Sequence, residues 1–461
     1  MIFLLLYNIN MKKSVFLLGA LIIGNTSLAF DVVYPKKNDV TVNSPSTFFV
    51  GASDCPLKIN GKDVPLHSSG GFAYVVNLSE GKNTFVLQTE NERKIFVITR
   101  PIIKPLNNST AQFIPYTEKK SFYVTTDNAP LRSTPIDFGI NRIAHLQRNI
   151  PLIIDGEKSG FYRVMLNGEK SGWISKSDVK AFQNFETKNA NLSGYDYIDS
   201  DDYFTFVFHL DKMVPFEIIE GESLDLKLYN VNPDNTYTMD FPYKDAISTR
   251  KLLGYSGHYE GNDFVWKIRK PIITNSKKPL KNITIAIDAG HGGSEIGSIG
   301  CLGHKEKDIN LQIAKLIEDE LKKRGAKVFM TRNDDIYVGL KDRVEKSNNE
   351  NAVVILSIHG NALPDGADPN KNSGTSIYYY YDQAKPLAEN IMDSVTSQTG
   401  VNNDKIRQAS FAMVRNTNAL SLLIETSYLI NPCDNANLID KEFQKNYAKA
   451  VVDGLENYFS N

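Results

Sequence analysis

The chain has 461 residues, 41% of them apolar, and a formal net charge of −1 at pH 7. That length provides for several hydrophobic cores, and the near-neutral balance excludes general electrostatic capture of nucleic acid or of an anionic membrane. Three cysteines, Cys55, Cys301 and Cys433, are too few for a disulfide scaffold and leave at least one thiol unpaired in the monomer, whether or not Cys301 and Cys433 join.

The first segment reads as an export signal. Lys12 and Lys13 follow Met11, an apolar run covers residues 15–24, and Ser27-Leu-Ala29 supplies small residues for cleavage. Residues 1–29 are therefore expected to be removed, with Met11 as an alternative start because residues 1–10 carry no charged side chain. The apolar run is short for a bilayer span, so no stable membrane insertion is expected after cleavage. The mature protein is expected to be exported, periplasmic or cell-wall-associated according to the envelope it inhabits.

Residues 30–104 alternate short apolar strands with turns, as at Thr47-Phe-Phe-Val50, Phe72-Ala-Tyr-Val-Val76 and Lys94-Ile-Phe-Val-Ile98, with Asn60-Gly61 and Glu80-Gly81 as turn signals. The pattern predicts a small immunoglobulin-like β-sandwich. Residues 101–117, rich in Pro, Asn, Ser and Thr, read as a linker. Residues 119–183 are again short strands. Ala129-Pro-Leu-Arg-Ser-Thr-Pro135, Gly160-Phe-Tyr-Arg-Val164 and Gly172-Trp-Ile-Ser175 resemble a bacterial SH3-type domain. That resemblance implies a small barrel in which Trp173 helps close the core, with a role in binding cell-wall polymers or as a spacer. Residues 184–272 predict a further β-rich domain through Tyr203-Phe-Thr-Phe-Val-Phe208, Phe216-Glu-Ile-Ile219 and Leu224-Asp-Leu-Lys-Leu-Tyr229, their aromatics read as core rather than as a sugar platform. Residues 271–280 form the last linker.

From residue 281 to 461 the texture becomes α/β. Buried strands are expected at residues 283–287, 326–330, 353–357, 376–379 and 420–425, alternating with helices at residues 306–324, 340–348, 384–399 and 443–459. Such alternation means a mostly parallel sheet covered on both faces, with reactive loops at the carboxyl ends of its strands. His291, in Asp288-Ala-Gly-His-Gly-Gly293, and His359, in Ser357-Ile-His-Gly-Asn361, each follow a buried strand. Glu306 opens the first helix and Glu425 ends the strand at Leu422. One histidine at a strand end is usually a structural residue; two, joined by a glutamate at a third such place, favour a metal. Zinc hydrolases draw three protein ligands from His, Glu and Asp and leave a fourth position open, which His291, Glu306 and His359 match. His304 and Glu295 are rivals for the Glu306 position, and Cys301 is a further candidate ligand. Glu425, ending an apolar strand, is expected to be the general acid–base, because partial desolvation raises a carboxylate pKa toward the working pH. Asp288 is expected to orient the loop or His291, whereas Lys305, Lys307 and residues 318–320 read as a solvated helix face.

The motifs Asp288 to Gly293, Glu306-Lys-Asp308, Thr331-Arg332 with Leu340 and Arg343, Ser357 to Asn361 and Glu425-Thr-Ser-Tyr-Leu-Ile-Asn-Pro432 closely resemble the zinc-dependent N-acetylmuramoyl-L-alanine amidases. The resemblance implies hydrolysis of the amide between N-acetylmuramic acid and the L-alanine of the peptidoglycan stem peptide, for wall remodelling or daughter-cell separation. It implies Zn2+ on His291, Glu306 and His359, with Glu425 catalytic. Residues 184–272 are likewise similar to accessory β-domains that precede some exported wall amidases. Two departures touch loop shape: Glu295-Ile-Gly297 stands where the family usually has Asp-Pro-Gly, and Leu420 where a proline is frequent. Only residues 363–373 follow the second histidine, too few for the blocking helix that some relatives release with an activator protein, so no helical plug is expected and any activator is unidentified. The alternatives are a wall-binding protein with an inactive amidase domain and a zinc peptidase cutting within the stem peptide.

Overall fold

A computed structural model describes residues 30–102, 112–182, 188–246, 251–274 and 277–460. The proposed export signal and much of the first linker lie outside these residues.

The N-terminal stretch folds as two facing sheets. One carries Phe30–Tyr34, Ser46–Ser53 and Gly71–Asn77; the other carries Asp39–Thr41, Arg93–Arg100, Gly81–Gln88, Lys58–Ile59 and Lys62–Asp63. Alternate residues of these strands turn inward, so that Phe49, Phe72, Leu87 and Ile98 are buried between the sheets. Phe49 meets the rings of Phe85 and Phe96 edge-on.

The next stretch is a single seven-stranded sheet ordered Arg142–Leu146, Ala129–Arg132, Ser171–Ser175, Phe161–Met165, Pro151–Lys158, Ile114–Val124 and Val179–Ala181. Its longest strand begins at Ile114, inside the residues read as linker. Gly156 explains the extension: Ile114 and Pro115 pair with Glu157 and Gly156, and a Cβ on Gly156 would fall 2.4 Å from the Phe113 ring. Trp173 also departs from expectation. Its neighbours Gly172 and Ile174 point inward, so Trp173 itself lies half-buried outside the core, edge-on to Phe113.

Residues 192–269 supply a four-stranded sheet (Leu192–Asp199, Tyr203–Leu210, Asp263–Arg269, Tyr255–Glu260) facing a three-stranded one (Phe216–Glu220, Leu224–Tyr229, Thr236–Phe241). Phe208, Phe264 and Trp266 fill the space between them, which places these aromatics in the core. One apolar cluster runs without a break from Val124 and Leu152 into Phe208 and Trp266, so these two β-rich regions share their interior.

The C-terminal α/β unit contains β1 (Thr284–Ala289), α1 (Glu306–Lys323), β2 (Lys327–Met330), α2 (Leu340–Asn349), β3 (Val354–Asn361), β4 (Thr375–Tyr379), α3 (Lys385–Thr399), β5 (Asn403–Gln408), β6 (Leu420–Tyr428), α4 (Pro432–Ile439) and α5 (Lys441–Ser460). The sheet order is β2-β1-β3-β6-β4-β5, parallel at every pairing except β6 with β4. Ile309, Ile313, Ile317 and Leu321 recur at helical spacing on α1 and close one face of the sheet. Two elements had no counterpart in the sequence reading. β5 is a polar edge strand with no fully buried residue. α4 is a two-turn helix started by Pro432 and capped by the Asn431 side chain, which accepts from the amides of Cys433 (2.9 Å) and Asp434 (3.2 Å). In this fold Cys301 and Cys433 are free thiols and are not joined to one another.

The N-terminal sandwich rests on this unit. Phe48, Val50 and Ala73 bury an apolar patch against Cys301 and Ile430. Beside it, Asp365 accepts hydrogen bonds from Tyr34 Oη (2.7 Å) and Thr47 Oγ1 (2.5 Å).

Candidate metal centre

Three side chains meet above the carboxyl ends of β1 and β3. His291 Nε2 lies 3.1 Å and His359 Nδ1 3.0 Å from the same oxygen, Glu306 Oε1. The rings of the two histidines stand edge to face with centroids 5.0 Å apart. His291, Glu306 and His359 form the one metal-ligating cluster found among the described residues, their ligand atoms all within 4.8 Å of one another.

The backbone beneath is shaped for this approach. His291 itself takes a left-handed conformation, φ 60°, which a non-glycine residue adopts only when its surroundings hold it there. The hold is visible: Arg343 Nη2 donates to the His291 carbonyl at 2.7 Å. Gly290 must lack a side chain because a Cβ would fall 2.3 Å from the His359 ring, and Gly297 because a Cβ would fall 2.4 Å from Glu306 Oε2.

Glu306 is buried, yet its carboxylate is well provided with donors. Ser298 N donates to Oε2 at 2.8 Å, while Gly360 N and Asn310 Nδ2 donate to Oε1 at 3.2 Å and 3.3 Å. Burial opposes its charge, but the hydrogen bonds from His291 and His359 outweigh that and hold its carboxyl below the usual range. Burial acts on His359 in the opposite sense to its partners; Glu306 and Glu425 prevail and raise its pKa.

Glu425 pairs across β3 and β6 with His359. Its Oε2 is closed off from solvent and accepts no hydrogen bond. Burial, opposed by His359, pushes its pKa up to about 7. The candidate acid–base and the three candidate ligands are thus gathered at one place, with one carboxylate poised near neutrality and the other kept charged.

The donor set fits a zinc ion. Tetrahedral ligands about 2.0–2.1 Å from a shared zinc stand about 3.4 Å from one another, close to the two observed His–Glu separations of 3.1 Å and 3.0 Å. His304 and Glu295 are exposed and take no part in the cluster. Cys301 is buried against the N-terminal sandwich, its thiol pushed up to about 12 by that burial, which is the wrong state for a ligand.

Asp288 supports the loop without touching the His291 ring. It accepts from Arg343 Nη1, Thr331 Oγ1 and Ser357 Oγ, each at 2.6 Å. Arg332 lies beside it and donates to the carbonyls of Ala289 (2.7 Å), Gly290 (2.9 Å) and Lys307 (2.8 Å). These two arginines tie the loop to β2 and α2. Lys307 departs from the solvated reading: it is buried and its ammonium donates to Gly293 O at 2.9 Å and to Asp335 at 2.5 Å. The signal for it was its place next to Glu306 at the helix start, facing the loop. Asn431 was not singled out either. Besides capping α4 it donates to Pro369 O (2.9 Å) and Asn372 O (3.1 Å), fastening the segment that follows His359.

A family described as N-acetylmuramoyl-L-alanine amidase matches residues 285–457, the stretch that contains all four side chains. The C-terminal domain belongs to the N-acetylmuramoyl-L-alanine amidase family. The amidase domain is 35% identical over 189 residues to the probable cell wall amidase LytH of Staphylococcus aureus, an alignment covering 41% of this chain and 62% of the relative. The chain therefore spans less than two thirds of that relative's length. Among solved structures it is similar to an N-acetylmuramoyl-L-alanine amidase from Clostridium difficile 630 (34% identity, 39% of this chain and 97% of the other, TM-score 0.37). It is also similar to the catalytic domain of CwlV, an amidase from Bacillus (Paenibacillus) polymyxa var. colistinus (34% identity, 38% and 97%, TM-score 0.36).

Proposed function

We propose that the chain is an exported enzyme that hydrolyses the amide joining N-acetylmuramic acid to L-alanine in peptidoglycan, using zinc held by His291, Glu306 and His359. The observation that carries this reading is the meeting of those three side chains on one carboxylate oxygen, beside a glutamate with a free, buried oxygen. Bound there, zinc would polarise the scissile carbonyl and make water nucleophilic at neutral pH. The Glu425 carboxylate takes the proton of the attacking water and passes it to the nitrogen of the departing L-alanine, a transfer suited to a carboxylate whose pKa lies near 7. Glu306 stays ionised and gathers the two imidazoles, while Arg343 and Asp288 hold the His291 backbone in its left-handed turn.

The immunoglobulin-like and SH3-type readings of residues 30–104 and 119–183, and the β-rich accessory domain at residues 184–272, belong to the same proposal: three modules that keep the amidase domain at the wall. The facing sheets of the first and third regions and the single seven-stranded sheet of the second support it. Mass spectrometry of the fragments released from purified peptidoglycan tests the reading. Free stem peptides beginning with L-alanine, lost when a zinc chelator is added and restored with zinc, are expected. Cuts within the stem peptide would transfer the protein to the peptidases, and sedimentation on the wall without release would leave a binding protein.

A further inference from the structure

An open cleft of about 910 Å³ lies where the seven-stranded sheet, the third β-rich region and the amidase domain meet. It is separate from the metal centre. Its amidase wall is the outer face of α2 and the loop at residues 412–418, which leads into the start of β6. Glu425 lies five residues farther along β6 than Leu420, roughly 17 Å at the rise of a strand.

The lining is strongly cationic. Arg142, Lys267, Lys341 and Arg415 face the cleft from all three parts of the molecule, and Glu345, already paired with Lys341 at 3.3 Å, is the one acidic residue on it among the described residues. Arg142 and Arg415 make no ion pair among the described residues. Arg142 Nε is buried and donates to nothing, and Nε of the neighbouring Arg132 is in the same state. A buried guanidinium nitrogen without an acceptor costs free energy; Arg142 brings one to the lining, beside the unpaired charge of Arg415, whereas Arg132 lies behind the lining and is held by Asp137 at 3.3 Å, so the cleft's own cations are left for an anion to neutralise. The charges act on one another in the sense this demands. Burial lowers the pKa of Arg142 to about 10, and Arg415 and Arg132 push it the same way. His145 is lowered to about 4, by burial first and then by the same three arginines.

We propose that this cleft binds an anionic oligomer whose units carry phosphate. The four cations less Glu345 leave a surplus that several negative charges must offset, and the volume lies near the upper end of what a single drug-sized ligand occupies, about 300–1,000 Å³. Phosphate carries up to two charges on each group where carboxylate carries one, so fewer groups neutralise the cleft. Guanidiniums also present paired N–H donors that match its oxygens. The inference does not depend on the amidase reading, because binding at this cleft requires neither metal nor hydrolysis.

Calorimetric titration of the full chain with tripolyphosphate at low ionic strength tests it, with inorganic phosphate, triglutamate and an uncharged trisaccharide as parallel probes. Tripolyphosphate is expected to bind one per chain, to weaken as salt is raised, and to lose roughly tenfold or more in affinity in Arg415→Gln. Lys341→Gln, at an exposed site that folding does not need, is expected to lose several-fold and covers the case in which Arg415→Gln fails to fold. A flat tripolyphosphate titration, or unchanged affinity in both variants, would overturn the site. Triglutamate binding as tightly would overturn the choice of phosphate, and inorganic phosphate binding as tightly would overturn the oligomer.

Discussion

Glu425 is separated from the other ionisable groups of the centre by what its oxygens lack. Glu306 receives three protein N–H donors in addition to the histidines, whereas Glu425 Oε2 receives none. A carboxylate so placed binds a proton readily and returns it readily. Glu425→Gln keeps the shape and removes the basicity, so kcat on peptidoglycan fragments is expected to fall on the order of 10²–10⁴-fold, the usual share of a general acid–base. Zinc content measured by atomic emission should stay at the wild-type level, since Glu425 is outside the ligand cluster. Turnover that survived in this variant would remove Glu425 from the chemistry. Asp288 makes the contrasting case of a charge kept for geometry. Burial opposes its ionisation, but Arg343, Ser357 and Thr331 overcome that and depress its pKa. Asp288→Asn would strand the Arg343 guanidinium in the interior, at a cost of about 3–5 kcal/mol. Zinc affinity is expected to fall about 10–100-fold as the His291 loop slackens. Urea unfolding beside a metal-competition titration separates the two effects, and a variant as stable as the wild type would show that the arginine has other means of support.

At the scale of elements, the end of the Phe216–Glu220 strand meets the turn Asp382–Ala384 that precedes α3, and the contact is a carboxylate. Glu220 Oε2 accepts from Gln383 N at 2.8 Å, and the Tyr255 hydroxyl is a second partner of the same buried carboxylate. Burial raises the Glu220 pKa to about 7 against the opposing hydrogen bond from Gln383. The native state therefore holds this proton more tightly than the unfolded chain, whose glutamate titrates near 4.5. Stability from this site is fully present below about pH 4.5 and is lost as pH rises through about 7. Thermal midpoints compared between pH 5 and pH 8 should fall less in Glu220→Gln than in the wild type; equal slopes would show that Glu220 does not carry the effect. No pattern in the sequence marks this residue, because its burial is created by an element more than 150 residues away. The strands of the sandwich and the alternation of strand and helix after residue 281 were legible for the opposite reason, since a period of two or of 3.6 is written locally. β5 and α4 escaped notice because their cause is not periodic: β5 is polar and needs only β4 as a partner, and α4 is set by the Asn431 cap and Pro432. Trp173 is a different case: its strand alternates regularly, but Gly172 and Ile174 take the inward positions and leave Trp173 on the other face.

For the whole molecule, the four side chains of the candidate site could be found from the sequence because each ends a strand or opens a helix of one unit, while the contacts between units could not. The docking of the N-terminal sandwich is the clearest instance. Residues 362–374, which join His359 to β4, contain no helix and lie against the sandwich through Asp365, through Leu363 and through Asn370, whose side chain donates to Ala73 O at 3.0 Å. The sandwich thus covers Cys301 and steadies the segment that carries the metal-centre strand onward. Gly71 makes the fit close, because a Cβ there would fall 2.6 Å from Cys301 Sγ. Cys301 is therefore a reporter built into the interface: Cys433 is exposed and Cys55 partly so, whereas Cys301 is buried. A maleimide followed by peptide mass spectrometry should label Cys433 rapidly and Cys301 slowly. Asp365→Ala removes the acceptor of both Tyr34 and Thr47, and losing charge-assisted hydrogen bonds worth about 1.5–3 kcal/mol each should open the interface more often and speed Cys301 labelling at least tenfold. Gly71→Ala should speed it by crowding the thiol directly, with Asp365 left in place. Cys301 labelling that is slow and equal in all three proteins would mean that the sandwich stays seated without these contacts, and that the burial of the thiol comes from the amidase domain alone.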